Sequence, residues 1–468
     1  MKYCDHIIFI FLISFSLSAS SQVTFQRKYA PLGQNRYYGN SVLQGADSGF
    51  LVAGNLGFTQ SYEEKLLLMK TDKYGNFNWI KTYDSMHSER MQKTFDNAVI
   101  VCGYQIIKAW PPVACLYKLS ITGDSIWKKR YDQNTLSGLM GVTQTYDSGF
   151  VAVGSIVTAY NMADALLLKT NSFGDTLWTK RFGLQGRYNQ GQYVLETSNH
   201  DIVFCGISGT FVSGFVDSLA VFFIKTDATG TLLSQKNYIF YKYIDANCIT
   251  LTKDGGFLIS GNNNYYAYFI RTNSNGDTLW TKQFLDNDYW TNARSVIQAK
   301  DSGFIWCGEG QIGVAWWDSF VMLGKLSESG VPIWTKTYEL HDSQAGREVR
   351  STLDQGEIII GDSNVDSVYM IKTDGEGTIT NSENINITKS RTKIFPNPFQ
   401  DYIEINSDKT IQSVVLYTSL GIPIYKQNVT NSTNEMLKVS LKSLDDGVYF
   451  LNLSFTDGTI KVVPLIHN

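Results

Sequence analysis

The chain has 468 residues, a formal net charge of −3, 13% aromatic residues and only 18% charged ones. That balance is rich in strand formers and poor in the charge that clothes helices, so an all-β chain is expected. The near-neutral charge leaves no basic footprint for nucleic acid or an anionic membrane surface.

Residues 1–21 read as a secretory signal. Lys2 supplies the basic start, residues 7–17 form an apolar run too short to span a bilayer, and Ala19 and Ser21 fit a cleavage site before Gln22. No later segment is long and apolar enough for a membrane-crossing helix, so the mature chain is expected to have no span.

From there a phrase repeats. DSGFLVAG (47–54) returns as DSGFVAVG (147–154) and DSGFIWCG (301–308), and its last glycine recurs at Gly54, Gly103, Gly154, Gly206, Gly261, Gly308 and Gly361. A period near fifty in a β-rich chain predicts propeller blades. A second phrase follows, with a cation five places before a glycine: Lys70/Gly75, Lys118/Gly123, Lys169/Gly174, Lys225/Gly230, Arg271/Gly276, Lys325/Gly330 and Lys372/Gly377. The residues between are turn formers, and the glycine supplies the left-handed backbone of a tight hairpin. Four residues on stands a tryptophan (Trp79, Trp127, Trp178, Trp280, Trp334), with Ser234 in the fourth repeat.

One unit is therefore four strands, A to D; in the first, A is about 39–45, B about 49–55, C about 65–72 and D about 77–83. The seventh unit lacks strand D, because no tryptophan follows Gly377. Phe25-Gln26-Arg27-Lys28-Tyr29 resembles the missing strand, WIKTY in the first unit. The expectation is a seven-bladed β-propeller over residues 22–380, closed by the N-terminal strand, which removes exposed sheet edges. The repeat resembles the tryptophan-docking propellers of the quinoprotein type, with their D-x-x-x-G-x-x-x-W blades. That resemblance implies the fold. It does not carry a quinone with it, and the tryptophans read as side chains that dock one blade on the next.

Residues 381–392 (NSENINITKSRT) read as a linker. Residues 393–468 alternate as strands with Gly and Pro turns, which predicts a small C-terminal β-sandwich. This tail resembles the C-terminal sorting domain of type IX secretion in Bacteroidetes. The match is carried by Pro396, Asn397, Pro398, Phe399 and Asp401, by Gly421, by Gly447-Val448-Tyr449, and by the basic-apolar end Lys461-Val462-Val463. The resemblance implies export through periplasm and outer membrane, recognition by the type IX machinery, and display at the surface or release.

A propeller of this plan places the A–B and C–D turns on one face and the longer B–C and D–A connections on the other. The first set is short and alike, and reads as structural. The second is aromatic and varied, and binding residues concentrate on such loops. Arg36, Tyr37, Tyr38, Trp110, Tyr188, Tyr265, Tyr266, Tyr289, Trp290, Arg294, Trp316 and Trp317 are the candidate ligand-binding residues. Flat rings stack on sugars or pack on a protein partner, with arginines fixing orientation.

Histidine is scarce, and no metal-protease, nucleophile-elbow, phosphate-loop or EF-hand motif occurs, so no cofactor or metal is expected. The five cysteines after residue 21 show no CxxC spacing and read as buried thiols. Glu89, Glu196 and Glu348 fall on inner strands, with Arg90, Lys93, Arg294, Arg347 and Arg350 nearby in sequence. The leading expectation is a binding or scaffold protein for an extracellular glycan or protein. A polysaccharide hydrolase or lyase using channel carboxylates, and a structural surface component, are the alternatives.

Overall fold

The computed structural model describes residues 22–30, 36–57, 64–83, 85–105, 112–131, 137–159, 162–212, 215–239, 244–263, 266–284, 289–312, 319–338, 344–363, 367–379, 392–407, 410–418, 422–429, 437–441, 444–456 and 460–467. Among them no helix is long and apolar enough to cross a membrane.

The architecture is an all-β propeller followed by a small sandwich. The first unit pairs Arg36–Gln44, Phe50–Gly57, Glu64–Thr71 and Phe77–Tyr83 in that order, and the same antiparallel meander recurs through the sixth unit. Units 3 and 4 are joined into one larger sheet by a single parallel bridge between Ala163 and Tyr188. In the seventh unit, Gln344–Ser351, Glu357–Ser363 and Ser367–Lys372 receive Phe25–Tyr29 as the fourth strand, with Phe25 opposite Lys372 and Tyr29 opposite Val368.

The core is not one mass. Each apolar cluster lies between two consecutive units: Leu51 and Val99 share one, Ile100 and Phe150 the next, and Phe204 meets Val151 in a third. The cluster of Phe25, Tyr37, Phe50, Ile358 and Met370 joins the first unit to the last.

Repeated chemistry fixes how neighbours dock. The outer-strand tryptophan of one unit lies over the C–D turn glycine of the next; a methyl added at Gly174, Gly230, Gly330 or Gly377 would meet an indole at 2.8–2.9 Å. These glycines also hold positive φ, so the position needs glycine on both counts. The tyrosine at the end of the outer strand donates its hydroxyl to that glycine's carbonyl: Tyr83 to Gly123, Tyr131 to Gly174, Tyr238 to Gly276 and Tyr338 to Gly377, at 2.5–2.9 Å. At Gly75 the Phe25 ring takes the place of the indole, and the Tyr29 hydroxyl donates to the glycine carbonyl at 2.6 Å.

The cation of the second phrase meets the Asp of the A–B turn in every unit. Lys70–Asp47, Lys118–Asp96, Lys169–Asp147, Lys225–Asp201, Arg271–Asp254, Lys325–Asp301 and Lys372–Asp354 lie 2.5–3.0 Å apart. The cation is nearly buried and the carboxylate stands at the surface, except at Lys225–Asp201, where both are largely covered. Partial burial of Asp47, Asp96, Asp147 and Asp354 opposes ionisation. Hydrogen bonds from the cation and neighbouring groups outweigh it and hold these carboxyls below the usual range. Asp254, held by the Thr252 hydroxyl and by Arg271, falls to about 2. The DGG at 254–256 is thus a turn, as its place in the repeat predicts.

The tail forms two sheets, of three and four strands, around a core that includes Phe399, Ile403, Val414, Tyr449 and Leu453. Tyr449 donates to the Asp445 carbonyl at 2.7 Å. Asn397 and Phe399 bond the backbone of Ile466 at 2.9 and 2.8 Å, so the proline motif pins the last strand, Ile460–His467. Pro396, Asn397, Pro398 and Asp401 are exposed, Gly447 opens the strand Gly447–Phe455, and Gly421 lies outside the described residues. Pro464 is accommodated because its strand is an edge, and the register with Gly447–Phe455 is unbroken.

Candidate functional site

Every inner strand carries one extra residue where its register with strand B shifts. These are Asn40, Glu89, Met140, Gln192, Asn247, Arg294 and Arg347. A bulge turns a side chain that alternation would aim elsewhere. All seven, with Arg90, line one cavity of about 130 Å³ on the propeller axis.

Arg90 closes the axis beside this layer. Its Nη2 donates to the Asn247 carbonyl at 2.8 Å, and its guanidinium stands 4.4 Å from the Tyr193 ring centroid and 3.9 Å from Glu348. One side chain from unit 2 thus touches units 4, 5 and 7. Arg350 crosses as well, from Nη2 to the Met91 carbonyl at 3.3 Å. The cavity is therefore a pit with a floor of packed arginine and tyrosine.

Glu348 is 2% exposed and belongs to that floor. Its carboxylate accepts from the Ser41 hydroxyl at 2.7 Å, the Val42 amide at 2.8 Å and Arg350 Nη2 at 2.9 Å. It fastens the last unit to the first. Glu196 is also structural, accepting from the Tyr146 amide at an A–B turn.

The charged groups of the pit are already paired. Arg294 grips Glu309 through Nε and Nη2 at 3.1 and 2.7 Å, and Arg347 Nε meets Asp362 at 2.7 Å. Burial would raise the Glu309 carboxyl, but Arg294 and then Arg347 hold it below its ordinary value. Glu89 lies 3.2 Å from His87 Nε2, while His87 Nδ1 bonds Glu64 and the imidazole stacks on Tyr104 at 4.6 Å. Burial opposes protonation of His87, but the two carboxylates outweigh it and raise its pKa to about 9, so the imidazolium bridges both. Among the described residues no cluster of His, Cys, Asp and Glu forms a metal-binding group.

The sequence candidates divide. Arg36 is exposed and Tyr38, Tyr188, Tyr266 and Trp290 are half-buried, all at strand ends that meet the B–C or D–A connections. Arg294 lines the pit. Tyr37 is a correction: it is fully buried in the cluster between the first and last units, because strand alternation turns it inward while Tyr38 faces outward. Tyr289 lies in strand Tyr289–Gln298, its side chain outside the described set; Trp110, Tyr265, Trp316 and Trp317 also lie outside the described residues. Sequence reasoning missed Asn40, Met140, Gln192 and Asn247. The available signal was positional: each pit residue stands fourteen places before the repeated glycine of its unit.

Residues 393–464 match the family model of the secretion system C-terminal sorting domain. The chain therefore carries such a tail, which directs export to the cell surface or the medium through the type IX machinery. No curated protein matches the sequence. Among solved structures the chain is similar to the Dos1 propeller, at 11% identity and a TM-score of 0.45, over 74% of this chain and 95% of that one. It is also similar to PorZ of Porphyromonas gingivalis, described as an essential bacterial surface component of the type-IX secretion system. There the identity is 7% and the TM-score 0.28, over 92% of this chain and 81% of that one. At these values the internal geometry rests on the sheets described above, not on the likeness.

Proposed function

We propose that this exported propeller is an extracellular binding protein, taking a glycan or protein ligand at the loop-bearing face around the axial pit. The observation that carries the reading is the convergence of one bulge side chain from each inner strand on a single cavity. At about 130 Å³ the pit is smaller than the roughly 300–1,000 Å³ of drug-sized ligand sites, so it takes one end of a ligand whose remainder lies on the surrounding face. The lining offers amide and guanidinium groups held in place by neighbours, which lowers the ordering cost of recognition. Tyr38, Tyr188, Tyr266 and Trp290 supply aromatic surface at strand ends on the same face. Hydrolysis at a glycosidic bond calls for a pair of carboxylates flanking it. Glu89 is the one carboxylate among the described residues lining the pit, and a histidine already holds it.

The test is binding of the purified full chain to arrays of glycans and extracellular proteins, beside a Trp290→Ala, Trp316→Ala, Trp317→Ala variant. A hit lost in the variant supports the reading. A hit kept by the variant moves recognition off the aromatic loops, and silence toward every ligand favours a purely structural surface role.

A further inference from the structure

The lining of the pit is unequal in charge. Arg294 and Arg347 occupy equivalent bulge positions on adjacent inner strands, and both face the cavity. We propose that the pit takes a carboxylated saccharide, its carboxylate seated against Arg294 and Arg347. This rests on the binding reading above and names its ligand class.

Each guanidinium is held from behind and left open in front. Arg294 uses Nε and Nη2 on Glu309; Arg347 uses Nε on Asp362. Among the described residues, Arg294 Nη1 and both terminal nitrogens of Arg347 meet no acceptor. A guanidinium fixed by one carboxylate presents its remaining N–H groups in a plane suited to a second. Because Glu309 and Asp362 set that plane beforehand, little side-chain freedom is lost when an anion arrives. The opposing charge in the lining, Glu89, is bonded by the His87 imidazolium, which it shares with Glu64, and this partly offsets its repulsion of an incoming anion.

The rest of the lining favours a sugar over an acidic peptide. Asn40, Gln192 and Asn247 are amides, and Met140 is the one apolar side chain among the described lining residues. Apolar peptide side chains entering here would strip water from amides and return no hydrogen bond. Sugar hydroxyls both donate and accept, and match them.

The experiment titrates the unaltered full chain with oligogalacturonate and oligoglucuronate, with their carboxyl-reduced counterparts, and with an acidic peptide of equal charge. A charge-assisted pair lost in this way corresponds to about 10–100-fold in affinity. The expected result is tight binding of a uronate, weakened by that factor on carboxyl reduction, with the peptide inactive. Arg347→Gln should show the same loss. Should that variant misfold by stranding Asp362, the carboxyl-reduced ligand still decides on the unaltered chain. Equal affinity for acidic and reduced sugars overturns the proposal, as does preference for the peptide. Binding of neutral glycans or proteins but of no uronate refutes this inference and leaves the binding reading intact. Silence toward this panel refutes this inference, and only silence on the glycan and protein arrays as well refutes the binding reading.

Discussion

Replacing Phe25 by alanine tests whether the N-terminal strand stands in for the absent outer strand of the seventh unit. The ring is 5% exposed, lies over Gly75 and meets Phe50 edge-on with centroids 5.9 Å apart. Removing a buried phenylalanine costs about 3–5 kcal/mol, and a position near the chain start can relax, so about 3 kcal/mol is expected. For a domain of this size that lowers the melting temperature by about 4 °C. Tyr29→Phe removes only the hydroxyl that satisfies the Gly75 carbonyl, and should cost about 1 kcal/mol. Thermal melting followed by near-UV circular dichroism reads both, with Trp127→Ala as the internal comparison at an ordinary interface. A Phe25→Ala protein that melts within about 1 °C of the parent, while Trp127→Ala falls, would refute the docking argument.

Four more outcomes are expected. Glu348→Ala strands Arg350 and the Val42 amide in the floor; denaturant titration should show a loss of about 3–5 kcal/mol, more than Glu348→Gln. The carboxyls of Asp47, Asp96, Asp147, Asp254, Asp301 and Asp354 in the A–B turns have lowered folded values. Their stabilisation is complete above the unfolded carboxylate value of about 4 and is lost as pH falls through the folded ones, to about 2 at Asp254. Acid melts should therefore steepen below about pH 4, and less so in Asp254→Asn. Cys102, Cys115, Cys205, Cys248 and Cys307 are all buried, and burial pushes the Cys102 thiol up to about 12. A thiol reagent should label these five only after unfolding. Deleting residues 393–468 should leave the propeller inside the cell envelope, which fractionation would detect; normal export of that truncation would refute the sorting role.

The repeat was legible because its chemistry is local. A glycine at positive φ, a turn-forming Asp or Asn and a docking tryptophan each leave a residue type at a fixed place. The FQRKY strand was readable for the same reason, as a weak copy of an outer strand. The pit was not, because the fold there fixes direction and leaves type free: Asn40, Glu89, Met140, Gln192, Asn247, Arg294 and Arg347 share only a position. Tyr37 and Tyr38 are one residue apart, and pairing alone decides which turns inward. Arg90 contacting Asn247 depends on a separation of 157 positions that no local pattern encodes.

The pairing of the first strand with the last also sets a clock. Gln26 and Tyr369 are hydrogen-bond partners 343 positions apart. At the roughly 5–20 residues per second of synthesis, the N-terminal segment waits about 20–70 s for its partner to exist at all. During that interval the strand that will finish the molecule has no sheet to join, and the first unit has no neighbour on one side. Closure of the ring is therefore the last event that synthesis permits, whatever the order in which the earlier units fold.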